Sequence, residues 1–256
     1  MDTIDRYAHS NAIRCLDPAQ KAGLALLAMG LCLALDRPAV GVLAVAWMLG
    51  LTVGWARVPA PVFGRAVLGQ GLFLVASSAC VALEVGLGAA PAGVWALRAG
   101  PLWVGAGAAG LATAARLIAR ALGCASALNF LILTTPLVDM IELLRRLRAP
   151  EALIDLMALT YRAIFVLLAG LNPVRGAQGA RPGRAGMCRG IRGAAQLAGQ
   201  LFLDASGRGA RLRRSLESRG MVAALRALPP EYRRGPGAWW LAGALAASLL
   251  LAGVVR

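Results

Sequence analysis

Arginine stands beside glycine repeatedly in the second half of this chain, most sharply inside "RRSLESRGMVAALRAL", Arg213 to Leu228. A guanidinium is planar, always charged and able to hold a carboxylate or carbonyl through two donors. Next to an apolar stripe it suits the gripping of a partner better than proton transfer. Residues that would do catalysis are sparse. Asp139 and Glu142 come nearest to a carboxylate pair, and their spacing, with arginines close behind, reads as pairing along a helix surface. His9 is the only histidine, and the cysteines at 15, 32, 80, 124 and 188 show no CxxC or clustered spacing, so no His/Cys metal site is expected and the thiols read as small apolar fillers. No GxxxxGK[ST] phosphate loop occurs, so hydrolysis of ATP by this chain is not expected.

The elements that must position these arginines belong to a membrane protein. Of 256 residues, 59% are hydrophobic and only 15% charged, too apolar a mixture for a water-soluble domain around one core. Apolar runs extend over Ala22 to Leu35, Pro38 to Ala56, Ala66 to Leu87, Leu102 to Thr134 and Ala238 to Val255. The first is short against the roughly 20 residues a helix needs to cross a bilayer. Asp36-Arg37-Pro38 predicts a tight hairpin between the first two spans. The fourth run is read as one helix continuing past the bilayer, and its Arg116 and Arg120 as facing other helices or a wet crevice, with no carboxylate partner evident. The segment before the first run carries charges of both signs, which argues against a cleavable signal peptide.

Charge sets the orientation. The formal net charge is +15, and Lys21 is the only lysine among 27 basic residues. Basic residues precede the first run, follow the second and follow the fourth, whereas the intervening loops hold only Arg37 and Arg98. By the positive-inside rule the N-terminus of this multi-pass protein is cytoplasmic. Thr135 to Pro236 holds 17 basic and 7 acidic residues and is expected on the same side. The apolar run Glu151 to Leu171 contains Asp155 and Arg162, and crossing there would carry the arginine-rich region outside. It is therefore read as a helix in or under the inner interface, which leaves five spans. Six follow if the long fourth run holds a re-entrant turn. The fold class is all-α, with residues 1–134 forming four membrane helices behind a cytoplasmic N-terminal segment, 135–236 a cytoplasmic or interfacial region, and 237–256 a last membrane helix.

Within that middle region Met187, Ile191, Ala194, Leu197, Leu201 and Phe202 recur at three- and four-residue steps, predicting an amphipathic helix that Gly207-Arg208-Gly209 should break. A second helix from about Ala210 to Ser218 places Leu212 and Leu216 on one face, and Gly220 suits its stop. Three readings of this pair compete. One is a solvated basic loop drawn to anionic lipid headgroups. Another, a nucleic-acid surface, lacks the interleaved aromatics such sites use, Phe202 and Tyr232 being the only ones nearby, so no nucleic-acid partner is expected. The third is docking of apolar anchors in a partner's groove with arginines on its rim.

Several segments together resemble the transmembrane T component of energy-coupling-factor (ECF) transporters, in its cobalt-uptake, CbiQ-type branch. "IDRYAHSNAIRCLDPAQKAGLALL" looks like that branch's opening, and "TTPLVDMIELLRRLRAPEALIDLMALTYRAIFVLLAGL", Thr134 to Leu171, looks like its central segment, with Arg162 in place. The signature of T components is a pair of Ala-Arg-Gly-like motifs at the ends of two cytoplasmic coupling helices. Ser218-Arg219-Gly220 matches the second, and Ala180-Arg181-Pro182 the first, with proline where glycine is the rule. The resemblance implies that Arg181, Arg219, Ala180, Ser218 and Gly220 engage two cytoplasmic ABC-type ATPase subunits, and that Ile191, Leu197, Leu201, Phe202, Leu212 and Leu216 pack the coupling helices. It further implies a separate CbiM-like substrate-binding S component, a small CbiN-like accessory subunit, no cofactor or metal on this chain, and ATP used by the partners. Cobalt is the cargo of that branch, with nickel or a vitamin carried by related T components. An integral membrane enzyme or a self-contained channel is the reading from another class.

Overall fold

The computed structural model describes residues 2–87, 95–99, 102–179, 187–220, 232 and 235–254. In chain order the helices are α1 (Asp2–Ser10), α2 (Pro18–Ala34), α3 (Pro38–Gly50), α4 (Ala60–Ala82), α5 (Ala108–Thr134), α6 (Leu137–Arg146), α7 (Glu151–Gly179), α8 (Met187–Ser218) and α9 (Pro236–Val254). Five of them, among the described residues, are long and apolar enough to cross a membrane: α3 with the π-helical turn Leu51–Trp55 that closes it, α4, α5, α7 and α9. This is the polytopic helical architecture the composition calls for.

Two compact units divide the chain, one of Met1–Pro136 with Pro230–Arg256 and one of Leu137–Pro229. In the first, α5 is the central helix, packed on α1, α2, α3 and α4, while α9 packs on α2 and α3. Its core is built from Ala28, Cys32, Val40, Ala44, Met48, Phe63, Phe130, Leu245 and Leu249, all at 1% exposure or less. Small residues set the tightest contact. A Cβ on Gly41 would run into the backbone carbonyl of Ala119, and one on Gly123 would lie 3.0 Å from Cys32 Sγ and 3.1 Å from Gly41 Cα. Hydrocarbon supplies no hydrophobic drive between helices, so backbone approach of this kind is what holds them. A polar clasp adds to it between α4 and α5, where Asn129 Nδ2 donates to Gln70 Oε1 at 2.8 Å and Gln70 Nε2 donates to Asn129 Oδ1 at 3.4 Å.

Local signals place the helix ends. Pro18 opens α2 in the first turn, where its missing N–H costs nothing, and Asp17 caps it by accepting from Ala19 N at 3.1 Å. Asp36-Arg37-Pro38 makes the expected hairpin, α2 ending at Ala34 and α3 starting at Pro38. The fourth apolar run departs from expectation. Its first residues form a strand, and the helix starts only at Ala108, after Gly107 in extended conformation. That strand, β3 (Leu102–Ala106), pairs antiparallel with both β1 (Leu83–Leu87) and β2 (Trp95–Ala99), Leu83 opposite Ala106 and Arg98 opposite Trp103. Trp, Val and Leu next to glycines favour a pleated backbone, and hydrophobicity alone could not separate five such residues from the helix they precede.

Arg120 has the carboxylate partner that the sequence left open. Its Nη1 lies 3.5 Å from Asp36 Oδ1 and its Nη2 donates to the carbonyl of Leu33 at 2.9 Å, so it ties α5 to the α2–α3 hairpin. Arg116 is exposed and bonds to its own helix, at Ala112 O and Thr113 Oγ1.

The second unit holds α6, α7 and α8, with α7 packed on both of the others. At 29 residues α7 outruns the apolar stretch that predicted it, continuing through Pro173 to Gly179. Its length and composition suffice for a span, which the argument from charge did not assign to it.

Candidate functional site

The site is built on α8 and on the stretch of α7 that faces it, Leu159 to Leu167. Where Gly207-Arg208-Gly209 predicts a break, α8 runs unbroken from Met187 to Ser218. A glycine inside a helix costs about 1 kcal/mol relative to alanine, which weakens the helix without forbidding it. Pairs one turn apart act in the other direction: Arg208 Nη2 lies 2.8 Å from Asp204 Oδ2, and Arg213 Nε 2.8 Å from Glu217 Oε1. The hydrogen bond from Arg208 holds the Asp204 carboxyl below its usual range, and Asp204 in turn raises the Arg208 guanidinium. Glu217 does the same for Arg213.

The helix ends at the motif singled out in the sequence. Arg219 N donates to Leu216 O at 3.1 Å and Gly220 N to Glu217 O at 3.0 Å, and Gly220 has φ +66°. This is the left-handed stop that glycine adopts without a Cβ penalty. Ser218 Oγ donates back to Ser215 O at 3.0 Å, and the Arg219 side chain is exposed. A positive side chain is thus presented at the negative end of the helix dipole. Ala180, Arg181 and Pro182 lie outside the described residues. In the sequence they follow directly on Gly179.

The apolar stripe divides in two. Leu212 and Leu216 line a groove against α7, whose wall is completed by Leu159, Ala163, Val166 and Leu167, with a cavity of about 690 Å³ between them. Leu197 and Leu201 are half-buried. Ile191 and Phe202, at 67% and 71% exposure, stand outside the packing among the described residues. Three arginines, Arg162, Arg208 and Arg213, enter the groove lining with Glu217. The sequence reading treated Arg208 only as part of a break; with the helix unbroken, it falls four residues before Leu212, within one turn of the groove.

The two carboxylates that come nearest to a pair in the sequence, Asp139 and Glu142, are placed differently. Glu142 is taken up by Arg145 at 2.9 Å and Arg146 at 3.8 Å. Asp139 is buried in the first turn of α6. Among the described residues no group of three or more His, Cys, Asp or Glu side chains is placed to hold a metal ion.

Membrane-length helices together with a long arginine-bearing helix define a polytopic helical membrane protein. The family model described as cobalt transport protein, CbiQ, matches residues 9–223, and the chain belongs to that family, a membrane component of cobalt transporters. It is 32% identical over 254 residues to the cobalt transport protein CbiQ of Rhodobacter capsulatus, covering 99% of this chain and 98% of that one. It is 37% identical over 106 residues to the protein of the same name from Salmonella typhimurium, covering 41% of this chain and 47% of that one. A putative fused cobalt transport protein CbiMQ of Methanocorpusculum labreanum is 34% identical over 121 residues, 47% of this chain and 20% of the fusion.

Proposed function

We propose that the chain is the T component of an ATP-driven ECF importer for cobalt, a non-catalytic subunit that converts motion of two cytoplasmic ABC-type ATPases into inward release of cargo from a CbiM-like S component. The observation that carries this reading is the exposed Arg219 at the end of α8, set on a left-handed Gly220, with Arg181 following the end of α7 in the sequence. An arginine fork at a helix end can stay locked on carboxylates or carbonyls of a partner through successive states, and only a joint that stays attached transmits movement. The fused CbiMQ relative supports a CbiM-like neighbour, since its name joins both parts in one chain. The charge rule supports an inner-membrane orientation with the N-terminus cytoplasmic and residues 135–236 at the cytoplasmic side or inner interface. ATP is bound by the partners, and no cofactor belongs to this chain.

The test is uptake by vesicles holding the chain with its ATPase and S-component partners. Arg219→Ala is expected to keep the chain inserted and to cut cobalt uptake at least tenfold, with ATP hydrolysis either lost or no longer tied to uptake. Unchanged uptake in that variant would remove Arg219 from the joint.

A further inference from the structure

We propose that the groove between α7 and α8 binds an anionic phospholipid, its phosphate on Arg162 and an acyl chain along Leu159, Val166, Leu167, Leu212 and Leu216. The proposal goes beyond the coupling reading and takes from it only that this unit lies at the inner leaflet. At about 690 Å³ the groove falls inside the range of about 300–1,000 Å³ typical of small-ligand pockets.

Charge in the groove is unbalanced in one direction. Arg208 and Arg213 each have a carboxylate on their own helix, at 2.8 Å. Arg162 emerges from the apolar length of α7, and among the described residues no carboxylate pairs with it. Of the four charged side chains lining the groove three are positive, and only Glu217 opposes them. A guanidinium against apolar walls needs an anion or water, and a phosphodiester offers two oxygens to its fork. The inner leaflet is where anionic lipid is concentrated.

The remaining lining chooses the source of that phosphate. No aromatic side chain lines the groove, so a nucleotide base has nothing to stack on, and a free phosphate would leave the aliphatic wall uncovered. The span-length window of α7 is only 6% buried, which leaves its apolar surface open to an acyl chain. A lipid satisfies the wall and the cation with one molecule.

The experiment is retention of lipid by the purified full chain after delipidation, with phosphatidylglycerol or phosphatidylcholine added back and bound lipid counted by native mass spectrometry. One favourable charge near the surface is worth about 1 kcal/mol, so Arg162→Gln is expected to weaken phosphatidylglycerol binding about fivefold. Arg116→Gln, outside the groove, should leave it unchanged, and Arg162→Lys should keep most of it. Leu216→Trp fills the groove without touching charge and should lower retention as well, which keeps the test decisive if Arg162→Gln does not fold. Equal binding of the two lipids, or equal retention by wild type and Leu216→Trp, overturns the proposal. So does a protein subunit found seated in the groove in place of lipid. Capture of the ATPases from the same preparation reports separately on the coupling reading.

Discussion

Lys21 Nζ donates to the carbonyl oxygen of Thr134 at 3.2 Å, and Asn11 Nδ2 donates to that same oxygen at 3.0 Å. The only lysine of the chain is 1% exposed and also bonds to Arg14 O at 3.4 Å. Thr134 is the last residue of α5, where carbonyls have no partner inside the helix and the dipole is negative. Pro136, two residues on, closes the first unit. Asn11, ahead of α2, and Lys21, in its first turn, thereby fasten the end of the central membrane helix just before the chain enters the second unit. Lys21→Met should remove charge-assisted hydrogen bonds worth about 1.5–3 kcal/mol each. Thermal unfolding of the detergent-solubilised chain is expected to fall by several degrees, and Lys21→Arg should not restore it, because the close-packed site has no room for a guanidinium. An unchanged midpoint would show that the contact contributes nothing to stability.

The α3–α5 contact gives a second prediction. Gly41→Ala drives a methyl group into the backbone carbonyl of Ala119, which no rotamer change relieves. Overpacking of this kind costs about 1–3 kcal/mol, more where backbone must move. Gly50→Ala, at a position with nothing within 4 Å, is the matched control and should be neutral or slightly stabilising. Yield and midpoint of the two variants should differ clearly, and equal values would contradict the packing.

Two helix ends share one turn with opposite residues in it. After α6, Arg148 sits at φ +58°, with Arg148 N bonded to Arg145 O and Ala149 N to Leu144 O. After α8, Gly220 sits at φ +66°. The left-handed conformation costs a side-chain-bearing residue about 1–2 kcal/mol, partly offset for glycine by its looser unfolded chain. Arg148→Gly should therefore slow hydrogen exchange at the α6 end by a few-fold, and Gly220→Ala should speed it at the α8 end. Movement of both in the same direction would refute the shared geometry.

The Asp204–Arg208 pair predicts a pH dependence in α8. The folded carboxyl lies below the ordinary value of about 3.9, so its contribution is present in full above that value and is lost as pH falls through the lowered one. The pair is exposed and its effect modest. Amide protection around residues 204–208 should decline below about pH 4 in the wild type, and Asp204→Asn should start lower and change less.

Helical class, the hairpin at Asp36 to Pro38 and the stop at Gly220 were legible because each follows from local signals: apolar run length, proline at a helix start, glycine after a helix end. The unbroken α8 was not. Glycine spacing predicted a turn at Gly207 to Gly209, whereas ion pairs one turn apart accompany a continuous helix. Strand β3 was hidden inside an apolar run that reads equally well as helix. The roles of Lys21, Arg120 and the Gln70–Asn129 pair depend on residues far apart in sequence, so no spacing rule finds them; the one signal for Lys21 was that it is the only lysine in a chain rich in arginine.

The central claim is that Arg219, at the end of α8, and Arg181, in the first motif, hold ATPase subunits. Affinity purification of the tagged chain from its native membrane tests it most directly, comparing wild type with the Arg181→Glu, Arg219→Glu double variant. A Walker-A ATPase that accompanies the wild type and is lost from the variant, with both chains inserted at equal level, is the predicted result. Recovery of the chain without any ATPase from either membrane, under mild detergent, would contradict the account.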